Sequence, residues 1–425
     1  MFTAADNERL TRVGPGTPMG EVMRRYWLPM LLPEELPEPD CPPVRVKLLG
    51  EELVAFRDTN GKVGLLDRYC PHRLVDLFFG RNEECGLRCV YHGWKFDVAG
   101  NVMDMPAEPE NSPMRSETKI KAYPVLEWGG LIWAYMGDPA HQPPRPPELE
   151  WGLVPPSQRH ISKRFQRSNW AQGVEGGIDS SHVGILHSVV NPPDGKTSFG
   201  DRQVSAVPGA PYLATDRAPK FFVRPTEPGM TIGARRIASE DEYYWRITQF
   251  FAPFYTMISR RGDKGHIAGH AWVPIDDEHT WTFTMHWDPD EDLPSQDVFD
   301  HLQVNVPVRD DGSYIPIHGA HDDYGIDREL QRNGNTTGIV GIGLQDQALQ
   351  ETMGAIADRT RENLASGDTA IVAFRKLMLA QTKLVESGDT FELPQKPEAF
   401  RLRSAGVVLP RDVDFQEGAR EAMTV

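Results

Sequence analysis

Two short motifs contain four side chains that could together hold a metal centre. Cys70 and His72 form a Cys-x-His motif, and Cys89 and His92 form a Cys-x-x-His motif, with 16 residues between them. Two thiolates and two imidazoles suit either a Rieske-type [2Fe–2S] centre or a tetrahedral zinc site. Zinc fingers usually pair cysteine with cysteine and histidine with histidine, whereas each motif here contains one of each. The order of the ligands therefore favours the iron–sulfur centre over zinc.

A second set of possible metal ligands follows farther along the chain. His182 and His187 are five residues apart and come after Asp179 in a stretch of helical pattern. Non-haem Fe(II) sites use two histidines and one carboxylate and leave an open face for O2 and substrate. Residues five apart point about 140° apart on a regular helix, so we expect the chain to bend near Gly184. Either histidine alone would be read as a core residue, but together with the first motifs they predict an iron site.

Composition limits the class of protein. The 425 residues suffice for two or three domains. The net charge of −16 argues against binding to nucleic acid. Cys41 and Cys85 are the only cysteines outside the motifs, so we predict no disulfide framework and a reducing cytoplasm. We find no signal peptide and no apolar stretch of membrane-spanning length, which predicts a soluble cytoplasmic protein.

The pattern along the chain predicts an α+β fold. We expect a helical lead-in over residues 1–40, a small antiparallel β domain over 41–140 and a proline-rich linker over 141–158. Residues 159–425 would then form a larger domain with an antiparallel sheet covered by helices. The predicted strands are 44–49, 53–57, 63–66, 130–135, 243–254 and 279–287, and a helical pattern covers 343–386 with a break at 366–368.

The first two motifs, together with the segment Gly93 to Asp97 and the turn glycine Gly100, resemble the Rieske domain of ring-hydroxylating oxygenases. The resemblance is closest to the phthalate dioxygenase-like branch and extends over nearly the whole chain. Further segments typical of that branch are Glu8 to Leu10, Gly14 to Met19 and Tyr26 to Pro29. The resemblance implies a terminal oxygenase α subunit whose Rieske [2Fe–2S] cluster is bound by Cys70, His72, Cys89 and His92.

The resemblance also implies roles at the second site. The family pattern Asp-x-x-His-x-x-x-x-His assigns His182 and His187 to a mononuclear Fe(II), and a C-terminal helix supplies a carboxylate. The segment Gln345-Asp346-Gln347-Ala348 matches that helix, which favours Asp346 as third ligand over its competitor Asp358.

Asp179 has a different role in the family. It links an iron-binding histidine of one subunit to a cluster histidine of its neighbour in a head-to-tail homotrimer, and whether trimers pair into hexamers is left open. The alternative is an ordinary helix-terminal acid. Glu175, one helical turn before Asp179, either takes part in this contact between subunits or only lies on the same face of the helix.

The function that follows from the resemblance is oxidation of a small aromatic acid with O2 as cosubstrate. Electrons would come from NADH through a separate reductase or ferredoxin, since the chain has no convincing dinucleotide-binding motif. Arg217 and Arg246 are candidates for binding the substrate carboxylate, with structural salt bridges as the alternative for each. We favour monooxygenation, such as O-demethylation of a methoxylated lignin-type acid, over dihydroxylation of a phthalate-like diacid. A Rieske electron carrier without oxygenase activity is the alternative of another class.

Overall fold

The first residues of the chain belong to a different unit from those that follow them. The structure, a computed structural model, describes residues 2–188, 190, 212–213, 216–259, 266–295, 305–389 and 391–425. It divides into two units, Val13–Pro146 and a larger one formed by Met1–Arg12 with Pro147–Val425. Helix α1 (Ala4–Thr11) belongs to the larger unit, where Arg9 Nε donates to Thr382 Oγ1 at 2.7 Å. The predicted domain boundaries at 40, 140 and 158 stay predictions.

The smaller unit contains three antiparallel sheets with short connections, and the predicted α+β class is confirmed. Its helices are α2 (Pro18–Met23) and α3 (Met114–Glu117). Its strands are β1 (Trp27–Leu31), β2 (Val44–Leu48), β3 (Glu51–Arg57), β4 (Val63–Asp67), β5 (Arg81–Glu83), β6 (Gly86–Arg88), β7 (Lys95–Phe96), β8 (Val102–Asp104), β9 (Ala122–Tyr123), β10 (Val125–Trp128) and β11 (Leu131–Tyr135). The sheet orders are β1-β11-β10, β2-β3-β4-β9 and β5-β6-β7-β8.

The predicted strands of this unit are confirmed, and the helical lead-in covers α1 and α2 but not β1. All five residues of β1 are buried, and the strand pairs with β11. A continuous buried run is compatible with either a helix or a strand, so periodicity alone could not decide.

The larger unit is built on an eight-stranded antiparallel sheet with the order β12-β18-β17-β16-β15-β14-β13, to which β19 adds beside β15. Its strands are β12 (Arg159–Gln166), β13 (Lys220–Thr226), β14 (Gly229–Ile237), β15 (Glu242–Phe251), β16 (Tyr255–Ile258), β17 (Ile267–Pro274), β18 (Thr280–Trp287) and β19 (Ala405–Pro410). Its further helices are α4 (Glu150–Leu153), α5 (Trp170–Ile178), α6 (Val183–Leu186), α7 (Arg328–Asn333), α8 (Ile342–Thr352), α9 (Thr369–Glu386), α10 (Phe415–Gly418) and α11 (Arg420–Met423). Within the described ranges, no helix has both the length and the apolar character that crossing a membrane requires.

Helix α5 approaches one face of this sheet closely because glycines line the contact. A Cβ on Gly177 would lie 2.5 Å from Thr256 Oγ1, and one on Gly173 would overlap the ring of Trp272. The side chain of Asn169 caps the first turn of the helix. The close approach brings the end of α5 to the sheet, where the second predicted metal site begins.

The predicted break in the C-terminal helical pattern is longer than expected. Helix α8 ends at Thr352, and α9 begins only at Thr369, after a short 3-10 turn over Ser366–Asp368. Gly354 has φ +95°, a conformation that favours glycine and ends the helix early. The predicted position at which the helix resumes, after residue 368, is therefore correct. The predicted start of the break, at residue 366, is wrong, because α8 already ends at Thr352.

Candidate metal centres

The four ligand residues of the first site lie in two loops of the smaller unit. Cys70 follows β4, and Cys89 follows β6. Each cysteine begins a tight turn, because its carbonyl accepts a hydrogen bond from Leu74 N (2.8 Å) or Gly93 N (3.0 Å) respectively. Gly93 has φ +76°, which explains why glycine ends the second turn.

The two loops bring two sulfurs and two imidazoles together. The Cys70 and Cys89 thiols lie close enough to shift each other's pKa, and the ring centroids of His72 and His92 are 4.4 Å apart. The indole of Trp94 stacks on His72 at 4.6 Å. Both cysteines are buried, and both histidines are half-buried. The interaction between the two thiols lowers the pKa of Cys89 to about 6 and raises the pKa of Cys70, so Cys89 is the one that forms a thiolate readily before a metal binds.

The other two cysteines lie apart from this group. Cys85 is in the turn between β5 and β6, where Asn60 Nδ2 lies 3.1 Å from its sulfur. Cys41 is buried, and its carbonyl accepts a hydrogen bond from Asn82. Cys85 is half-buried, and neither cysteine is part of the predicted cluster site.

Three side chains of the larger unit converge at the second site. His182 Nε2 lies 3.5 Å and His187 Nε2 3.3 Å from Asp346 Oδ1, and one ligand atom of each lies within 4.8 Å of the others. Although burial raises the pKa of Asp346, the charges of the two histidines lower it to about 2. Two imidazoles and one ionised carboxylate are the donor set of a non-haem Fe(II) site.

Two further residues orient the histidine rings. Asp179 Oδ2 lies 3.1 Å from Nδ1 of His182, and Gln345 Oε1 lies 2.7 Å from Nδ1 of His187. Since each Nδ1 has a partner, each Nε2 is directed to Asp346. Gln345 was missed from the sequence, although it directly precedes the predicted ligand.

The bend that brings the histidines together lies earlier than predicted. Helix α5 ends at Ile178 and is followed by Asp179, whose backbone is extended, and His182 and His187 flank the one-turn helix α6. Gly184 is inside α6 and does not bend the chain. A Cβ there would lie 2.7 Å from Leu213 O, so its role is to permit a close backbone approach.

The alternative carboxylates have other partners. Asp358 is exposed and caps a 3-10 turn by accepting a hydrogen bond from Thr360 N. Glu175 is buried, and its oxygens accept hydrogen bonds from Arg359 (3.0 Å) and Arg375 (2.8 Å). Arg359, although it is next to Asp358 in the sequence, binds Glu175. Glu175 therefore belongs to a buried ion-pair network and not to the histidine pair.

Comparisons with known proteins match two family models to the chain. Residues 26–124 match the Rieske [2Fe-2S] domain, and residues 134–422 match the family described as LigXa C-terminal domain like. The chain is 39% identical to the phthalate 4,5-dioxygenase oxygenase subunit of Pseudomonas putida, over 98% of this chain and 94% of the relative. The chain belongs to the Rieske oxygenase family. The predicted recognition is thereby confirmed.

Other relatives of this Rieske oxygenase act on different compounds. It is 37% identical to the 3-chlorobenzoate-3,4-dioxygenase oxygenase subunit of Comamonas testosteroni, over 98% of this chain and 97% of the relative. It is 33% identical to the 5,5'-dehydrodivanillate O-demethylase oxygenase subunit of a Sphingobium strain, over 92% and 82%. The caffeine-bound NdmA mutant of Pseudomonas putida CBB5 shares the fold, with TM-score 0.61, 18% identity and coverage of 93% and 99%.

The family assignment establishes the cofactors of this Rieske oxygenase: a Rieske [2Fe–2S] cluster and a mononuclear iron that uses O2, with NADH acting through a separate reductase. The residues present fit both groups, because the loops supply two sulfurs and two imidazoles and the second site supplies two imidazoles and a carboxylate. The residue-by-residue ligand assignments stay predictions, which the experiments below test.

The two predicted substrate arginines differ in position. Arg217 is exposed and lies before β13. Arg246 is half-buried on β15, and its Nη1 makes only long hydrogen bonds, to Ser180 Oγ (3.3 Å) and Thr248 Oγ1 (3.4 Å). Loss of water contact lowers the pKa of Arg246, and the nearby charges of Asp179 and Asp346 partly oppose this. Of the two, only Arg246 is thus placed beside the iron site.

We expect Gln345→Leu to weaken iron binding at the second site by about 10- to 100-fold, because His187 loses the acceptor that orients its ring. Titration of the iron-free second site with Fe(II) measures the change. Gln345→Glu keeps an acceptor oxygen and should bind iron more tightly than the leucine variant. Equal affinity of the leucine variant and the wild type would contradict the orienting role.

Proposed function

We propose that this enzyme is a terminal oxygenase for a carboxylated aromatic compound whose carboxylate binds Arg246. The observation that supports this most directly is a guanidinium near the metal ligands that has no carboxylate within ion-pair distance in the described part of the chain. An enclosed charge without a counter-ion is costly, so an anionic ligand would stabilise it. Arg246 can also bind both oxygens of a carboxylate at once.

Ring dihydroxylation is the reaction that the relatives favour. Two relatives that match 98% of this chain are named as dioxygenases of phthalate and 3-chlorobenzoate, both aromatic acids. In this reaction an arene, O2, two electrons and two protons form one cis-dihydrodiol. The electrons come from NADH through the reductase or ferredoxin partner, and both oxygen atoms enter the product.

O-Demethylation is the second candidate, and the 33% identical O-demethylase subunit supports it. A methoxylated aryl acid, O2, two electrons and two protons would then form a phenol, formaldehyde and water. The residues at the second site are compatible with either reaction, since both need the same metal ligands and the same carboxylate contact.

The chain's own residues have distinct tasks in this proposal. Cys70, Cys89, His72 and His92 would hold the cluster, and His182, His187 and Asp346 would hold the iron. When bound, the cluster supplies stored electrons and the iron supplies the site of O2 activation. Asp179 and Gln345 keep the histidine rings in place, and Arg246 positions the substrate ring. We further propose that Asp179 connects the iron site to a cluster of the neighbouring subunit in a homotrimer.

Product analysis with ¹⁸O2 tests the reaction class. The reconstituted enzyme, with NADH and a compatible reductase, would be given phthalate-type diacids, chlorinated benzoates and methoxylated aryl acids. A product that contains both atoms of one O2 identifies a dioxygenase. A phenol lacking one methyl group, with formaldehyde, identifies an O-demethylase. Oxidation of aromatic compounds without a carboxylate, in preference to all these acids, would refute the proposed substrate class.

We expect Arg246→Met to raise the KM for an aryl carboxylate by about 10- to 100-fold, because a hydrogen bond to a charged group is lost. Steady-state kinetics measure the change, and kcat should fall less than kcat/KM. Arg217→Met is the matched control, since Arg217 is exposed. An unchanged KM for Arg246→Met, or an equal change in both variants, would remove Arg246 from the substrate site.

A further inference from the structure

A second arginine near the iron site, this one buried, also has no acidic partner among the residues that the structure describes. Arg164 on β12 is 5% exposed. Its Nη1 donates to Thr284 Oγ1 at 2.9 Å, and its Nε is buried with no hydrogen-bond acceptor in the structure. No carboxylate of the described residues lies within ion-pair distance of it. A guanidinium has five N–H donors, so most of its hydrogen-bonding capacity is unused.

Arg164 lies on the sheet face that α5 covers. In the antiparallel register Arg164 is opposite Thr282, which is opposite Trp272 on β17. Residues opposite one another share a face, and Trp272 packs against Gly173 of α5. The centroid of the Trp272 ring lies 6.0 Å from the Arg164 guanidinium carbon.

Helix α8 connects Arg164 to the iron site. A Cβ on Gly343 would lie 4.0 Å from Arg164 Nη1. Gly343 is three residues before Asp346, and residues three apart lie on the same side of a helix. The charge of Asp346 accordingly acts on Arg164 and also on Arg246. Asp346 thus has one unpaired guanidinium nearby on β12 and another on β15.

A neutral histidine lies close to Arg164. His270 on β17 is half-buried, and its buried Nδ1 has no hydrogen-bond partner in the structure. Loss of water contact and the charge of Arg164 lower the pKa of His270 to about 3, so the ring is neutral at physiological pH. Beside the iron site, one sheet face therefore has two buried nitrogen atoms, Nε of Arg164 and Nδ1 of His270, without a hydrogen-bond partner among the described residues.

We propose that Arg164, with His270 beside it, binds a second anionic oxygen group of the substrate, at the opposite end from the carboxylate bound by Arg246. This inference rests on the proposed function. Strands β16, β17 and β18 separate the two arginines in the sheet order, which corresponds to about 19 Å between backbones along a flat sheet. Guanidinium groups on strands this far apart can bind two acid groups on opposite sides of an aromatic ring more easily than two acid groups on adjacent ring carbons. The preferred substrate class is an aromatic acid with a second anionic group in the para or meta position.

Equilibrium binding to the iron-loaded, full-length enzyme tests the proposal with benzoate, phthalate and terephthalate as probes. Calorimetry under anaerobic conditions measures each Kd without turnover. We expect the wild type to bind terephthalate about 10- to 100-fold more tightly than benzoate, because one further charged hydrogen-bonding group is engaged. Phthalate should bind less tightly than terephthalate. A terephthalate Kd equal to or above that of benzoate overturns the proposal from the wild type alone.

The variant Arg164→Met should bring the ratio of the benzoate and terephthalate Kd values to about one. Arg246→Met should instead weaken both ligands together. A ratio that stays at the wild-type value in Arg164→Met, with the Rieske absorption spectrum and iron content unchanged, refutes the role of Arg164.

If Arg246→Met leaves benzoate binding unaltered, the proposed function itself fails, whatever the ratio. If Arg164→Met does not fold, Arg164→Lys should retain a terephthalate preference, and its loss in a folded lysine variant refutes the charge contact.

Discussion

Replacing Asp346 with alanine is expected to lower the iron content from about three to about two atoms per chain and to abolish substrate oxidation. The two histidines would remain, but the carboxylate that completes the donor set and lies within 3.5 Å of both Nε2 atoms would be gone. His182 and His187 would also lose the negative charge that favours a bound cation. The cluster residues belong to the other unit of the fold, so the Rieske absorption spectrum should not change.

Asp358→Ala is the matched control for this experiment. Asp358 is exposed and contacts Thr360, so its removal should leave about three iron atoms per chain and normal activity. Iron analysis together with the visible spectrum distinguishes the two sites in each variant. Normal iron content in Asp346→Ala, combined with iron loss in Asp358→Ala, would transfer the third ligand to Asp358 and contradict the geometry described above.

Much of the fold and of both sites could be predicted because the informative residues are close in sequence. Each cluster motif lies in one loop. In each loop the cysteine begins a tight turn, and Gly93 ends the second turn. Four strands of the smaller unit and two of the larger one were recognisable from alternating or β-branched runs. Asp346, by contrast, lies far along the chain from His182, and the family resemblance, not the local pattern, placed it at this site.

The features that were missed depend on tertiary contacts. The bend at Asp179 was placed at Gly184 because glycine is the usual sign of a helix break, whereas here the glycine admits the carbonyl of Leu213. Arg164 was not singled out, because a charged residue in a strand usually faces water. Its burial is visible only once α5 and α8 cover that face of the sheet. Gln345 was missed because glutamine in a helix has no distinctive pattern.

Replacement of Asp179 should slow electron transfer without removing either metal, because of the contacts that its two carboxylate oxygens make. Its Oδ1 accepts a hydrogen bond from Ser181 N at 2.6 Å, and its Oδ2 contacts Nδ1 of His182. Burial raises the pKa of Asp179, but the hydrogen bonds from His182 and Ser181 lower it below its ordinary value, so the group is a carboxylate at neutral pH. The Asp179 side chain is 20% exposed and that of His182 is 23% exposed. The carboxylate is therefore partly exposed, as the proposed contact with a neighbouring subunit requires.

We expect Asp179→Asn to retain both metals but to slow single-turnover electron transfer from the cluster by about 10- to 100-fold, the usual cost of altering a residue that supports a metal ligand. Asparagine keeps an oxygen for the turn at Ser181 but removes the negative charge beside His182. Stopped-flow absorption of the reduced cluster, after mixing with O2 and substrate, measures the rate, and iron analysis confirms retention. Gln345→Glu is a suitable comparison, since it alters the support of the other histidine. A normal rate in Asp179→Asn would remove the electron-transfer role, whereas loss of iron would reduce Asp179 to a structural support of His182.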